Sequence, residues 1–203
     1  MRRLVASTFV SLDGVMQAPG GPGEDESGGF SLGGWTVPYF DESVGAFMDE
    51  LMGHPFDLVL GRRTYDVFAA HWPNASEEEG AKPLNDAVKH VASRGTPELP
   101  WERSVLLEGD VVEAVAALKE QDGPELQVHG SSELLQALLA ARLVDEHRVL
   151  TFPVVLGRGK RLFGEGAVPT AMRLVSSATS ATGIVMAVYE PVGEVQTGSF
   201  ALE

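Results

Sequence analysis

The sequence predicts an α/β protein with a mixed, mostly parallel sheet flanked by helices and a C-terminal antiparallel hairpin. Short runs rich in β-branched residues alternate with amphipathic segments of about ten residues, which is typical of parallel strands joined by helices. After residue 152 this rhythm ends in two strand-like runs joined by a short turn, which indicates a hairpin. Because no repeat or linker interrupts the pattern, residues 1–203 are predicted to form a single domain.

Composition excludes several kinds of site. The chain has no cysteine, so it can hold no disulfide, thiolate metal site or cysteine nucleophile. Its five histidines include no i, i+4 pair, and we assign no metal. A formal charge of −14 opposes binding to nucleic acid, since such affinity comes largely from Lys and Arg. No apolar run reaches the roughly 18 residues of a membrane span, and no secretory signal is evident, so we expect a cytoplasmic protein without a membrane partner.

The N-terminal part of the chain predicts a strand, a loop and a helix. The strand covers residues 4–10 and ends at the turn formed by Asp13 and Gly14. Residues 17–35 are predicted to be a flexible loop that could serve as a lid, because seven of the fifteen residues from 20 to 34 are glycine. Asp41 can then cap a helix whose apolar face comprises Val44, Phe47, Met48 and Leu51.

The rest of the chain alternates between the two kinds of element. Further strands are predicted at residues 56–60, 88–92, 104–107, 126–129, 148–152, 172–178 and 184–190. Helices are predicted after Gly61, over residues 77–86 and 111–119, and after Gly130.

Three predicted strands end in groups that suit an anion. The first is Gly61-Arg62-Arg63-Thr64, the second is Ser93-Arg94, and the third is Gly130-Ser131-Ser132. Two of these groups open helices, whose first N–H groups attract phosphates. Solvated arginines and ordinary helix caps would explain each group singly. One elongated ligand with two phosphate positions, such as a dinucleotide, would explain all three, because the ends of parallel strands meet at one edge of a sheet.

Two carboxylates and a basic cluster each have two alternative roles. Asp13 suits a turn, but it also lies at the end of a strand, where a carboxylate could hydrogen-bond a substrate. Asp41 competes for this catalytic role. Arg158, Lys160 and Arg161 could hold a substrate phosphate or lie in solvent. His129 is interpreted as a packed strand residue.

Two motif matches fail on context. The G-x-S-x-G match at residues 29–33 lacks the strand before it and the helix after it that a nucleophile elbow requires. The stretch from residue 157 to 162 begins like a dinucleotide fingerprint, but Leu162 stands where the third glycine belongs.

Five motifs in order resemble a known family. They are Ser11-Leu12-Asp13-Gly14; Gly61 to Tyr65 with Trp72-Pro73; Gly130-Ser131; Leu143 to Glu146; and Pro153 to Phe163. From about Arg3 to Pro191 the chain is similar to the dihydrofolate-reductase-like superfamily. More narrowly, it resembles the C-terminal reductase domain of the bacterial riboflavin-biosynthesis deaminase-reductase. The absence of cysteine leaves no zinc ligands of that kind for a deaminase domain.

The resemblance implies a homodimeric reductase that uses NADPH as its cofactor. Asp13 matches the substrate-facing Asp of the riboflavin-pathway reductases, whereas folate reductases carry their acid near Asp41. The resemblance also assigns cofactor contacts: phosphates to Arg62, Arg63 and Thr64, which follow Gly61; the adenosine 2′-phosphate to Ser93 and Arg94; the pyrophosphate to Gly130, Ser131 and Ser132; and the nicotinamide to Ala6.

The implied substrate is a small heterocyclic or sugar-derived compound. The activity would be similar to that of 5-amino-6-(5-phosphoribosylamino)uracil reductase. Dihydrofolate reduction and a non-catalytic module that binds a nucleotide or a pterin are the alternatives. The family often has Gly-Gly where this chain has Gly130-Ser131, which leaves the cis or trans state of that peptide open.

Overall fold

A computed structural model describes residues 1–77 and 80–200. Within this part of the chain eight strands form one sheet in the order β4-β3-β2-β5-β1-β6-β8-β7. The strands are β1 (Leu4–Ser11), β2 (Phe56–Gly61), β3 (Lys89–Ala92), β4 (Ser104–Leu106), β5 (Glu125–His129), β6 (Glu146–Phe152), β7 (Ala171–Thr179) and β8 (Val185–Gly193). The helices are α1 (Glu42–Met52), α2 (Arg62–His71), α3 (Ala81–Asp86), α4 (Val111–Glu120) and α5 (Ser132–Ala140).

The predicted mixed sheet with a terminal hairpin is confirmed. Strands β1 to β6 pair in parallel, whereas β8 runs antiparallel to both β6 and β7. Helices cover both faces of the parallel part, as expected for strands that are joined by helical crossovers. None of the helices in residues 1–77 and 80–200 is long and apolar enough to cross a bilayer.

Side chains alternate between the two faces of the sheet because successive residues of a strand point in opposite directions. On the face that α4 and α5 cover, one apolar cluster contains Leu4 and Ala6 of β1, Val59 of β2 and Val128 of β5. The other face, which α1 and α2 cover, carries two separate apolar clusters. One surrounds Phe152 and the other contains Leu58, Leu60 and Tyr65.

The helix predicted over residues 77–86 begins later than expected. In the structure α3 starts at Ala81, and residues 78–79 lie outside the described part. Gly80 has a φ of 79°, a left-handed conformation that a continuous right-handed helix cannot contain. The glycine therefore acts as the start signal, which the polar pattern on either side of it concealed.

The 17–35 loop, comprising residues 17–35, packs more than its composition suggests. Phe30 is only 3% exposed and joins the cluster around Phe152, so this glycine-rich segment contributes a side chain to the core. The Gln17 side-chain amide donates to the carbonyl oxygens of Asp25 and Ser27 at 3.0 Å each. Trp35 Nε1 donates to the Gln17 carbonyl at 2.8 Å. The loop is thus built around Gln17, and its flexibility stays a prediction.

Candidate active site

The three predicted anion-binding groups and Asp13 lie in a row along one edge of the sheet. Strands β3, β2, β5 and β1 are consecutive neighbours and run in parallel. Their carboxyl ends therefore bring Ser93-Arg94, Gly61-Arg62, Gly130-Ser131 and Asp13 to the same side in that order. The convergence expected from the sequence is present in the structure.

Helices α2 and α5 start at this edge and lie on opposite faces of the sheet. Tyr65 of α2 packs with Leu58 and Leu60 on one face, whereas Leu135 of α5 packs with Val128 on the other. Adjacent strands whose connections diverge in this way form a crevice, where α/β proteins bind ligands. The first backbone N–H groups of both helices lack intrahelical partners and favour an anion between them.

The Ser131 hydroxyl joins the two sides of this crevice. Its Oγ accepts from the Gly61 N–H at 2.8 Å and donates to Thr64 Oγ1 at 2.6 Å. A side chain at position 61 would not fit, because a Cβ there would lie 2.8 Å from Ser131 Oγ. Ser131 itself has a φ of 65°, a strained conformation for a residue with a side chain. The described residues contain no cis peptide bond, so Gly130-Ser131 is trans.

The three candidate arginines each face a carboxylate. Arg62 pairs with Asp66 at 2.7 Å, and Arg94 pairs with Glu133 of α5 at 3.1 Å. Arg63 pairs with Asp25 of the 17–35 loop. All three side chains are at least 39% exposed. Exposed ion pairs contribute at most about 1 kcal/mol, so a phosphate could replace Asp66 or Glu133 at low cost. Asp25 differs, because its side chain is only 11% exposed.

The remaining candidate cofactor-binding residues are Ser93, Ser132 and Ala6, and they differ in the groups that they expose to a ligand. Ser93 Oγ accepts from the Gly95 N–H at 3.2 Å, and Ser132 is the first residue of α5. Ala6 is 1% exposed and its side chain packs towards α5. Only the backbone of Ala6 can therefore meet a ligand on the opposite face, where the next side chain is that of Ser7.

Asp13 anchors the turn that follows β6. Its carboxylate accepts from the Ser11 hydroxyl at 2.6 Å and from the N–H groups of Leu156 and Gly157 at 3.0 and 2.8 Å. The hydrogen bond from Ser11, supported by those two N–H groups, lowers the pKa of Asp13 to about 2. The carboxylate is therefore ionised at neutral pH. Its catalytic role stays a prediction, to which the structure adds this anchoring role.

Asp41 caps α1, as the sequence predicts. Its Oδ1 accepts from the N–H groups of Ser43 and Val44 at 3.1 and 3.2 Å, and the Thr182 hydroxyl lies 3.3 Å from its Oδ2. The hydrogen bond from the Ser43 hydroxyl is the main reason that the pKa of Asp41 falls to about 2. Its catalytic role also stays a prediction.

The basic cluster divides between the 17–35 loop and Asp13. Lys160 Nζ binds Asp25 at 2.7 Å, and Arg161 contacts both the carbonyl and the carboxylate of Asp13. Burial of Asp25 opposes ionisation, but hydrogen bonds from Lys160 and Ser27 outweigh it and hold the pKa of Asp25 at about 2. A cavity of about 270 Å³ lies between the loop and this cluster, and Arg158 lines it.

Sequence reasoning missed a polar row on β5. Glu125, Gln127 and His129 alternate with apolar residues and lie on the face covered by α1 and α2, between its two apolar clusters. His129 Nε2 lies 2.9 Å from Gln127 Oε1. Burial lowers the pKa of His129 to about 4, so the ring is neutral at pH 7. The alternation of polar and apolar residues was the available signal.

The chain matches a family model and two curated relatives. The model described as the RibD C-terminal domain matches residues 2–186. YyaP of Bacillus subtilis strain 168 is 26% identical over 193 residues, which cover 93% of this chain and 94% of YyaP. YwjB of the same strain is 27% identical over 174 residues, or 85% of this chain and 89% of YwjB. Both relatives are described as uncharacterised proteins.

Solved structures share the fold. A presumed riboflavin biosynthesis protein from Shewanella sp. PV-4 aligns with a TM-score of 0.71 at 22% identity over 94% of this chain and 99% of its own. A pyrimidine reductase-like protein from Corynebacterium diphtheriae aligns with a TM-score of 0.64 at 15% identity, over 95% of this chain and 93% of its own. Dihydrofolate reductase from Enterococcus faecalis, complexed with NADP(H) and RAB-propyl, aligns with a TM-score of 0.58 at 17% identity. The alignment covers 93% of this chain and 96% of the reductase.

Proposed function

Because the chain belongs to the RibD C-terminal domain family, we propose that it is an NADPH-dependent reductase of a small heterocyclic or sugar-derived substrate. The proposed activity is similar to that of 5-amino-6-(5-phosphoribosylamino)uracil reductase. The observation that carries the proposal is the crevice between β2 and β5, where the N-termini of α2 and α5 meet and the Ser131 hydroxyl joins Gly61 to Thr64.

The groups around this crevice fit an anionic dinucleotide. Backbone N–H groups of α2 and α5 would hold the phosphates, with Arg62, Arg63 and the hydroxyls of Thr64 and Ser132 beside them. Arg94, whose side chain is 95% exposed, would exchange Glu133 for the adenosine 2′-phosphate. Bound NADPH would supply a hydride to a carbonyl or imine. The protein would supply orientation and polar contacts to the substrate.

Thermal unfolding with NADPH, with NADH and with neither tests the cofactor. A ligand at about 100 times its Kd stabilises a protein by roughly 2.7 kcal/mol. For a chain of this length we expect the midpoint to rise by about 5–11 °C with NADPH and by clearly less with NADH. No rise with either nucleotide would contradict the proposal.

The variant R94A tests the 2′-phosphate contact. We expect R94A to lower the NADPH-induced rise to that produced by NADH, because it removes the proposed phosphate partner. R173A is the matched control, since Arg173 is also an exposed arginine paired with a glutamate, but it lies on β7. An R94A protein that responds to NADPH like the wild type would contradict this assignment.

Turnover then distinguishes the three candidate activities. NADPH oxidation is followed by absorbance with a panel that contains ribosylaminopyrimidines and dihydrofolate. Oxidation that depends on a ribosylaminopyrimidine supports the proposal, and oxidation that depends on dihydrofolate favours folate reduction. Tight NADPH binding without any turnover would favour the non-catalytic module.

A further inference from the structure

A polar row on β5 leads from the core to the proposed cofactor crevice. Gln127 is fully buried, whereas His129 is half-buried at the end of the strand and directly precedes Gly130. Ser7 of β1 is the register partner of His129, and neighbouring strands lie about 4.8 Å apart. By the alternation of each strand, the side chains of His129 and Ser7 share the face covered by α1 and α2. They therefore form a polar pair beside the crevice.

Hydrogen bonds determine which nitrogen of His129 carries the proton. The Gln127 amide nitrogen donates to the Leu51 carbonyl at 2.9 Å and to Glu125 Oε1 at 3.0 Å. Both partners are acceptors, so the amide oxygen must be the atom that faces His129 Nε2 at 2.9 Å. Nε2 therefore donates, and Nδ1 of the neutral ring carries a lone pair.

Two polar atoms of this pair have no protein partner. Within the described part of the chain, neither His129 Nδ1 nor Ser7 Oγ makes a hydrogen bond, and neither atom is fully enclosed. Nδ1 of this tautomer can only accept, whereas a serine hydroxyl can donate. A ligand that carries an N–H group beside a C=O group would pair with this acceptor and this donor. A lactam ring has such an edge.

Building on the proposed function, we propose that His129 and Ser7 determine specificity by binding the lactam edge of a heterocyclic substrate. Nδ1 of His129 accepts the ring N–H, and the Ser7 hydroxyl donates to the neighbouring carbonyl. Gln127 is a positioning residue, which acts by holding the Nε2–H tautomer of His129. The helix-end carbonyl of Leu51 and the carboxylate of Glu125 in turn hold Gln127.

Two related pyrimidines test the lactam edge by calorimetry, without NADPH. 5,6-Diaminouracil carries both ring N–H groups, whereas 5,6-diamino-1,3-dimethyluracil has them blocked. We expect the wild type to bind the first compound about tenfold more tightly, because the blocked compound leaves Nδ1 unpaired. H129F should lose this preference. H54F is the matched control, since His54 contacts the same Glu125 but is an exposed residue after α1.

Nitrogen-15 NMR of labelled histidine reads the tautomer independently of any ligand, and the chain has only five histidines. We expect His129 to be an Nε2–H tautomer in the wild type and a mixture of tautomers in Q127L. An Nδ1–H tautomer in the wild type would overturn the proposal, as would equal binding of the two pyrimidines or no binding of diaminouracil. Discrimination between the pyrimidines without an NADPH-induced rise in the unfolding midpoint would uphold this site and contradict the reductase.

Discussion

Single residues of this site carry structural and chemical roles together, and Asp13 is the clearest case. Its carboxylate lies at the end of β1, but both of its oxygens accept N–H groups from the turn after β6. An ionised carboxylate with these partners ties the turn after β1 to the turn after β6, at the edge of the sheet where the candidate site lies. Substitution of Asp13 should therefore affect the stability of the fold as well as catalysis.

We predict that D13N lowers the free energy of unfolding by about 1–3 kcal/mol at pH 7. The side-chain NH2 group of the new asparagine would face a backbone N–H, and two donors cannot form a hydrogen bond. The folded-state pKa of Asp13, about 2, lies below its ordinary value of 3.8. Its stabilising contribution is therefore complete above pH 3.8 and is lost as the pH falls towards 2. Denaturant unfolding should show that the difference in free energy of unfolding between the wild type and D13N becomes smaller below about pH 4.

The same variant tests the catalytic role. We expect D13N to lower kcat strongly and to leave the NADPH-induced thermal shift nearly intact. D49N, which alters an exposed carboxylate of α1, is the control for the loss of one charge. Equal losses of kcat and NADPH affinity in D13N would contradict a role at the substrate.

The 17–35 loop links two elements that would otherwise be separate. Its Asp25 binds Arg63 at the start of α2 and Lys160 of the basic cluster after β6. In the sheet β2 and β6 are separated by β5 and β1, so the loop crosses the edge where the candidate site lies. Asp25 thereby holds an arginine that a cofactor phosphate would need.

We predict that D25N binds NADPH up to about fivefold more tightly than the wild type, because the phosphate no longer competes with Asp25 for Arg63. Fluorescence titration of NADPH measures the Kd. E26Q is the matched control, since it alters the next carboxylate of the loop, which is exposed and makes no ion pair to a described residue. Weaker binding by D25N would instead mean that Asp25 organises the site.

Local patterns predict the elements but not how they meet. Leu126 and Val128 mark β5 as a buried strand, yet nothing near them shows that β5 lies between β2 and β1. The convergence of the strand ends was predictable, because parallel strands place their carboxyl ends together. The hydrogen bond between Gln127 and His129 was not predictable. Its direction depends on the Leu51 carbonyl, which orients the Gln127 amide and lies 76 residues away in the sequence.

At the scale of the whole molecule the two edges of the sheet differ. The edge strand β4 has three residues, whereas β7 has nine and is exposed along most of its length. Short edges pair poorly with other chains, but a long exposed edge is a template for pairing. Leu174 and Val175 of β7 are each 52% exposed. We therefore propose that two copies of the chain pair through β7.

We predict that the wild type sediments as a dimer and that V175K sediments as a monomer, because pairing would bury an unpaired lysine charge of each copy in an apolar contact. V105K is the matched control, since Val105 is a comparably exposed valine, 50% accessible, on the opposite edge strand β4. Sedimentation equilibrium over a range of concentrations measures both variants. Pairing should also strengthen with salt, since each copy carries a formal charge of −14. A wild type that is monomeric throughout, or a V105K variant that dissociates as readily as V175K, would contradict pairing through β7.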